Sequence, residues 1–349
     1  MNPVGDGRAA LETPEPSAAT TARRSSPSTW RRAIFLAWSA LGAWLLYRVL
    51  VANAATLQDL LARGPGWLFV AAATACYVGC QLLAMGRWTM LARAAGVPLT
   101  LRQGFALGVA GEAGNLVMPG ANGGDAVKVG LVVGSNLPIA RGVASVVADR
   151  VSGLLGLLLV GFLAGAAQWS IAGSTVRRLT ICMAVLAGGA AVAVALLLHP
   201  FSHRVVATIV RPWSRAAAVV AQFSAVAETY RSRWWGLVLA VAISMVSQSL
   251  ALLVMYYSSA ALSRDAAASL GSTLLAGPLV LASTAIPLPF GALGVTEEVG
   301  EKLFGVLGVP GGGLMMLGYR SAAVLAVQTL LVLLWASRVV WPESRHPNT

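Results

Sequence analysis

Six apolar runs, each about as long as a membrane span, most strongly limit what this chain can fold into. They occupy residues 33–52, 67–86, 143–167, 179–198, 235–258 and 314–337. A hydrocarbon layer about 30 Å thick needs roughly 20 residues of α-helix, so each run is long enough to cross once. Because 57% of the residues are apolar and only 11% are charged, a water-soluble globule is excluded. The sequence predicts an all-α polytopic membrane protein with six full transmembrane helices.

Two further apolar segments, at residues 103–134 and 271–308, are each broken by a turn rich in proline and glycine. We call residues 118–125 the first elbow and residues 286–294 the second elbow. Their prolines and glycines include Pro119, Gly120, Pro287, Pro289, Gly291 and Gly294. The arms beside the first elbow, about 16 and 13 residues, are too short to cross comfortably. The segments therefore predict two re-entrant helical hairpins, although the last arm, at 291–308, is long enough to cross alone.

The distribution of Lys and Arg predicts the orientation of the chain. If both hairpins return to the side they enter from, one side of the membrane holds fifteen basic residues in its loops and tails and the other holds five. Basic residues are enriched on the cytoplasmic side. A single crossing by residues 103–134 would instead place the basic loop at 199–233 outside. We therefore expect a cytoplasmic N-terminus in the inner membrane of a bacterial-type cell.

The order of the predicted elements repeats. Residues 33–167 and residues 179–337 each contain two helices, a hairpin and a helix, and the second unit starts from the opposite side. This order predicts an inverted-topology repeat, as in many transporters, with chance arrangement as the alternative. The predicted units are a disordered cytoplasmic tail at 1–29, a single transmembrane domain at 30–340 and a cytoplasmic tail at 341–349. Within the domain, residues 199–233 carry apolar and basic residues at the helical spacing typical of an amphipathic helix on the membrane surface.

Acidic residues gather in and just after the two hairpins. Six of the thirteen acids are Glu112, Asp125, Asp149, Glu297, Glu298 and Glu301. A charge at the centre of a membrane helix costs about 2.5–3.5 kcal/mol, so such residues are functional candidates. Arginine matches phosphate oxygens bidentately, and backbone amides at a helix N-terminus also bind anions. The predicted site for an anionic headgroup comprises Asn122, Gly123, Gly124, Asp125, Lys128, Arg150 and Arg320.

The remaining acids have two interpretations. Glu112, Asp149, Glu297 and Glu298 either couple transport to a proton or cation, or have structural roles such as capping a hairpin arm. If the roles are structural, three of the acids form ion pairs with a Lys or Arg that is close to them in the sequence. These pairs are Asp125–Lys128, Asp149–Arg150 and Glu301–Lys302. No acid precedes or follows Arg320 closely, which favours function there.

Metal, cofactor and nucleic-acid sites are not predicted. The three cysteines lie in apolar runs, and His199 and His203 have no carboxylate or thiolate beside them. The net charge of +12 is dispersed around apolar runs instead of being gathered on one surface, which argues against nucleic acid.

Several motifs together resemble the lysylphosphatidylglycerol synthase transmembrane, or flippase-like, family over residues 33–340. They are Arg87-Trp88 leading to Leu91, Gly111 to Asn115, Met118-Pro119-Gly120, Gly123-Gly124-Asp125 followed by Lys128, Asp149-Arg150 with Gly153-Leu154-Leu155, the run from Pro287 to Gly294 with Glu297, and Tyr319-Arg320. The family often has Glu where this chain has Asp149, and Arg where it has Lys128. The resemblance implies a membrane protein that moves lipids or lipid-linked compounds between leaflets.

In the best-known members, this module is joined to a soluble domain that transfers an aminoacyl group to phosphatidylglycerol. We expect that domain to be absent here, and therefore expect a transporter of an anionic lipid or a polyprenyl phosphate. The alternatives are a membrane-embedded enzyme acting on lipid headgroups, and an accessory subunit that recruits a cytosolic transferase partner. No His, Ser or Cys nucleophile accompanies the acids, which disfavours the enzyme. A homo-oligomer is compatible with each alternative.

Overall fold

A computed structural model gives the arrangement of most of the chain. The described residues are 29–117, 124–125, 128–130, 139–170, 173–211, 213–262, 267–286, 288 and 292–336. The regular structure within these ranges is helical. Several predicted site or elbow residues lie outside them, namely Pro119, Gly120, Asn122, Gly123, Pro287, Pro289 and Gly291.

Twelve helices lie within the described ranges. In chain order they are α1 (Thr29–Ala52), α2 (Ala54–Arg63), α3 (Trp67–Ala94), α4 (Leu101–Val117), α5 (Ile139–Ala167), α6 (Ser174–Leu198), α7 (Pro200–Val210), α8 (Ser214–Ser232), α9 (Trp234–Leu262), α10 (Leu270–Ser283), α11 (Val295–Val306) and α12 (Gly312–Ala336).

The helices long and apolar enough to cross a membrane match the predicted runs. Five qualify individually, namely α3, α5, α6, α9 and α12. A sixth candidate is bent, because Leu36–Ala52 and α2 meet at 70° next to Asn53. The prediction of an all-helical, multi-pass membrane protein is therefore confirmed, with five candidate spans among the described helices, or six if the bent pair is one span.

One helix extends well beyond its predicted end. The apolar run stops at residue 86, but α3 continues to Ala94. Arg87, the first residue after the apolar run, lies inside the bundle and forms an ion pair with Asp149. Because its charge is neutralised by a partner from another helix, it does not end the buried part of α3.

The arms of the two broken segments are helical but short. Helices α4, α10 and α11 contain 17, 14 and 12 residues. At 1.5 Å per residue they are roughly 26, 21 and 18 Å long, less than the hydrocarbon thickness. The last arm was predicted over 291–308 with length enough to cross alone. It is too short, since α11 begins only at Val295.

Glycine lets the central helices approach closely. The most extensive contact among the described helices joins α3 and α9, and α5 and α12 pack on the same pair. A Cβ atom added to Gly156 would come within 2.4 Å of the Ser244 Cβ on α9. On α4, a Cβ added to Gly108 would come as close to the Met85 side chain on α3. Small residues at such crossings are the usual means of helix association in membranes.

The segment predicted to be amphipathic forms two helices. Helix α8 is anchored to the bundle because the Tyr230 hydroxyl donates to the Leu91 carbonyl oxygen at 2.9 Å. Burial raises the pKa of this hydroxyl above its usual value. Helix α7 and Trp213, the residue just before α8, instead expose large apolar side chains, namely Phe201, Val205, Val206, Ile209 and Trp213.

Candidate functional site

The last two residues of the first elbow, Gly124 and Asp125, pack back onto α4. A Cβ added to Gly124 would come within 2.6 Å of the Gly111 carbonyl oxygen, so only glycine fits there without a shift. The Gly124 N–H donates to Asn115 Oδ1 at 2.7 Å. The glycine therefore has a packing role, and it places Asp125 beside α4.

Four predicted site residues then come together, which we call the first charge cluster: Glu112, Asp125, Lys128 and Arg150. Arg150 Nε donates to Asp125 Oδ2 at 2.8 Å. The Arg150 side chain remains 54% exposed, whereas Asp125 is 16% exposed. Glu112 interacts electrostatically with Asp125, Lys128 and Arg150. The cluster thus joins α4, the chain after the first elbow and α5, and it presents one accessible guanidinium.

Lys128 has a partner that the sequence did not suggest. Its Nζ atom lies 5.1 Å from the centre of the Trp88 ring, a cation–π geometry. The predicted pairing of Asp125 with Lys128 is therefore replaced by the bond from Arg150 to Asp125. Trp88 is fully buried, so the ring also holds Lys128 against α3.

Asp149 does not pair with Arg150, contrary to the structural alternative drawn from the sequence. Its Oδ1 atom accepts from Arg87 Nε at 2.8 Å, and Arg87 Nη1 donates to Ser244 Oγ at 2.7 Å. Both members of the pair are buried. Adjacent residues on a helix point in different directions, which separates Asp149 from Arg150. The pair links α3, α5 and α9, so Arg87 is a structural residue that the site prediction missed.

The second half contains a buried network around Glu297. Its Oε1 atom accepts from Arg320 Nε at 2.6 Å, and its Oε2 atom accepts from the Gly294 N–H at 2.5 Å. The Thr296 hydroxyl also donates to Oε2, at 3.0 Å, and accepts from Arg320 Nη2 at 2.8 Å. We call Gly294, Thr296, Glu297 and Arg320 the second charge cluster. Glu297 therefore both caps α11 and binds Arg320, and its carboxylate occupies the Gly294 amide, the kind of helix N-terminal group that binds anions.

The backbone of the second elbow is shaped to fit against α1. Ala292 and Gly294 have φ angles of 58° and 85°, in the left-handed region. A Cβ on Gly294 would overlap the Gly42 carbonyl oxygen of α1, so this position needs glycine. Strained backbone of this kind persists where the surrounding structure holds it in place.

The other two acids of α11 bind α1 and its neighbours. Glu298 Oε1 lies 3.4 Å from Arg48 Nη1 and 3.5 Å from Lys302 Nζ. Glu301 Oε2 instead accepts from Asn53 Nδ2 at 3.3 Å and from the Gly313 N–H at 2.9 Å. The predicted Glu301–Lys302 pair is therefore wrong, since Lys302 contacts the acid one helical turn before it.

A match to a known family covers almost all of this framework. The family model described as the lysylphosphatidylglycerol synthase TM region matches residues 32–336. The chain belongs to this family. Comparisons with curated proteins and with solved structures found no match. The resemblance stated from the motifs is confirmed, and the family is a membrane domain related to lipids.

Two tyrosines lie between the charge clusters of this lysylphosphatidylglycerol synthase TM region. The Tyr77 and Tyr319 rings meet edge to face, with centroids 5.4 Å apart, and Gln81 Nε2 donates to the Tyr77 hydroxyl at 3.1 Å. Tyr319 interacts electrostatically with both Glu112 and Arg320. Tyr319 is therefore within electrostatic range of an acid of the first cluster and the arginine of the second.

Within the part of this family member that the structure describes, His, Cys, Asp and Glu form no group of three that could hold a metal ion. The chemistry on offer is ionic. In each cluster an arginine side chain is paired with a carboxylate. Of the two predicted site arginines, Arg150 and Arg320, Arg150 is the more exposed.

Proposed function

We propose that this member of the family is a transporter that moves an anionic lipid, or a lipid-linked polyprenyl-type molecule, between leaflets. The observation that carries the proposal is the pair formed by Arg150 and Asp125. The Arg150 guanidinium is half-exposed, and Glu112 interacts electrostatically with both Arg150 and Lys128, so phosphate oxygens can replace the carboxylate as the partner of Arg150. A headgroup with one phosphate matches that arrangement of two cations.

The proposed topology is an inverted repeat of two re-entrant hairpins. The contact between Gly111 and Gly124 supports the first hairpin, since the chain must double back for these residues to meet. The short lengths of α10 and α11, which pack on each other, support the second. With the N-terminus in the cytoplasm of a bacterial-type cell, α7 lies on the inner leaflet. Arg204 of this helix then faces anionic lipid headgroups, and the apolar residues of the helix enter the leaflet.

Transport on this scheme depends on the exchange of ionic partners. A phosphate bound at Arg150 releases Asp125 and, with it, the chain after the first elbow. In the second charge cluster, a phosphate reaches Arg320 only when Glu297 gives up its bond. A ligand shifts such an equilibrium only by its difference in affinity for the two states. The carboxylates released by this exchange, Asp125 and Glu297, are the groups that a coupling proton or cation would neutralise.

Liposome reconstitution tests the proposal. The purified chain is inserted into vesicles with fluorescent phosphatidylglycerol, phosphatidylcholine or a polyprenyl phosphate, and the label in the outer leaflet is quenched chemically. For at least one anionic lipid, we expect the label in the inner leaflet, which the quencher cannot reach, to be lost faster in vesicles with the protein than in empty vesicles. Arg150→Ala should lower that rate at least tenfold.

Arg141→Ala is the matched control, because Arg141 is on the same helix but donates to the Gly96 carbonyl oxygen. Its transport should remain within twofold of the unmodified protein. Rates no higher than those of empty vesicles for every lipid, or full transport by Arg150→Ala, would contradict the proposal. Formation of a modified lipid by the purified chain would instead support the embedded enzyme.

A further inference from the structure

A cleft of about 290 Å³ opens between the end of α5 and the start of α6, away from the first charge cluster. Its lining residues are Phe162, Ala166, Trp169, Thr180, Ile181 and Ala184. The hydroxyl of Thr180 donates to the Val176 carbonyl oxygen of its own helix, so it offers no unbonded donor to a ligand. Phe162 lies twelve residues after Arg150, about 18 Å farther along the helix axis. The cleft is therefore apolar and separate from the proposed transport site.

Helices α5, α6 and α10 pack closely beside this cleft. Gly161 and Gly165 lie four residues apart on α5, the spacing that brings membrane helices together. A Cβ on Gly161 would come within 2.3 Å of Met183 Sδ and 2.8 Å of Pro278 Cγ. These close contacts join α5 to α6 and to α10, the first arm of the second hairpin. The side chains of the lining form the walls of the cleft beside them.

The rim of the cleft carries positive charge beside a tryptophan. Arg177 Cζ lies 5.7 Å from the centre of the Trp169 ring, and Arg177 Nη2 donates to the Trp169 carbonyl oxygen at 3.4 Å. Arg177 and Arg178 are both exposed, at the first turn of α6. Tryptophan and arginine at the end of a spanning helix lie at the depth of lipid headgroups. An apolar cleft with a cation at its rim matches a lipid chain joined to a phosphate.

We propose that the cleft holds one phospholipid of the leaflet at the α5–α6 turn, with an acyl chain between the helices and its phosphate against Arg177. The surrounding bilayer supplies this ligand at high concentration, and the charge at the rim selects the phosphate. Phe162 belongs to the same apolar cluster as Leu275 and Leu279 of α10. A bound lipid thus supports the surface against which the second hairpin packs.

Photochemical labelling in nanodiscs tests for the acyl chain. The full-length chain is inserted into nanodiscs containing phosphatidylglycerol with a diazirine on one acyl chain, irradiated and mapped by mass spectrometry of its peptides. We expect adducts concentrated between Phe162 and Ala184. Ala166→Trp and Ala184→Trp, which fill the cleft from its open side, should each lower that labelling at least fivefold.

Val185→Trp is the control for the filling variants, because Val185 is exposed on the same helix but is not part of the lining. It should leave the labelling unchanged. Equal labelling of the filled variants and the control would overturn the proposal. So would adducts spread evenly over all exposed apolar helices, since that pattern describes ordinary boundary lipid.

A second comparison tests the phosphate. Diacylglycerol with the same diazirine chain lacks a phosphate, and it should label the cleft at least fivefold less than phosphatidylglycerol. Arg177→Gln should remove most of that difference, whereas Arg178→Gln, at the adjacent position, should keep it. Equal labelling by diacylglycerol and phosphatidylglycerol in the unmodified protein would contradict a phosphate site. Arg150→Ala, which tests transport, should leave the labelling of the cleft intact.

Discussion

Glu297 is fully buried, and its carboxylate binds Arg320 Nε at a distance of 2.6 Å, although 23 residues separate the two in sequence. The same carboxylate accepts the Gly294 N–H at the start of α11. One side chain therefore closes the second elbow and fixes the arginine of α12. The positive end of a short helix, which often binds a ligand anion, is here neutralised by an acid of the protein.

We expect Glu297→Ala to destabilise the protein by about 3 kcal/mol, because it leaves the Arg320 charge and the Gly294 amide without this acceptor. Thermal unfolding in detergent measures the change. Glu298→Ala is the matched control and should cost less than about 1 kcal/mol, since Glu298 contacts two largely exposed cations. In the double variant Glu297→Ala/Arg320→Met, part of the lost stability should return. Strictly additive effects of the two substitutions would show that the pair is not coupled.

The two aspartates of the first half should behave differently when neutralised. Asp149→Asn removes the counter-charge of buried Arg87, so we expect a loss of about 3–5 kcal/mol of stability. Asp125→Asn weakens only a partly exposed pair and should cost less than about 1 kcal/mol. Transport by Asp125→Asn should nevertheless change, because in the proposed transport scheme Asp125 competes with phosphate for Arg150. Equal thermal stability of both variants would contradict the roles assigned to the two pairs.

Gly124 should not tolerate a side chain. Its missing Cβ faces the Gly111 carbonyl oxygen, so Gly124→Ala must push the end of the first elbow away from α4. Overpacking of this kind costs about 1–3 kcal/mol, and the shift of Asp125 should also lower transport severalfold. Gly130→Ala provides the control, because a Cβ at Gly130 meets no atom within 4 Å. Normal transport and melting temperature for Gly124→Ala would refute the close contact.

Helix α7 should lie with its apolar face in the membrane surface. After Cys182 is replaced by Ser, a cysteine introduced at position 209 should react with a water-soluble maleimide in liposomes at least fivefold more slowly than a cysteine introduced at position 204, on the polar side of the helix. The reason is that no other part of the described structure covers the Ile209 side chain, so lipid must shield it from the reagent. Equal reaction rates at the two positions in liposomes would show that α7 stands away from the bilayer.

Element types and approximate bounds follow largely from local sequence in this chain. Apolar runs of sufficient length predict spanning helices because lipid leaves few alternatives for backbone hydrogen bonds. Proline and glycine mark the elbows for the same reason, since they interrupt those bonds. The bend at Asn53 was not predictable in this way. Asn53 Nδ2 donates to the Val49 carbonyl oxygen and to Glu301 of α11, and the second of these contacts exists only after folding.

The sequence alone therefore determined that this is a helical, multi-pass membrane protein of the lysylphosphatidylglycerol synthase TM family, with charges concentrated near two broken segments. Only the tertiary structure decided which charges meet. Asp149 binds Arg87, which is 62 residues away, and leaves its neighbour Arg150 to Asp125. Neighbours in a helix point apart by about 100°, whereas packed helices bring distant residues into contact. In a medium that solvates charge poorly, each acid binds the cation that packing places against it, whatever their separation along the chain.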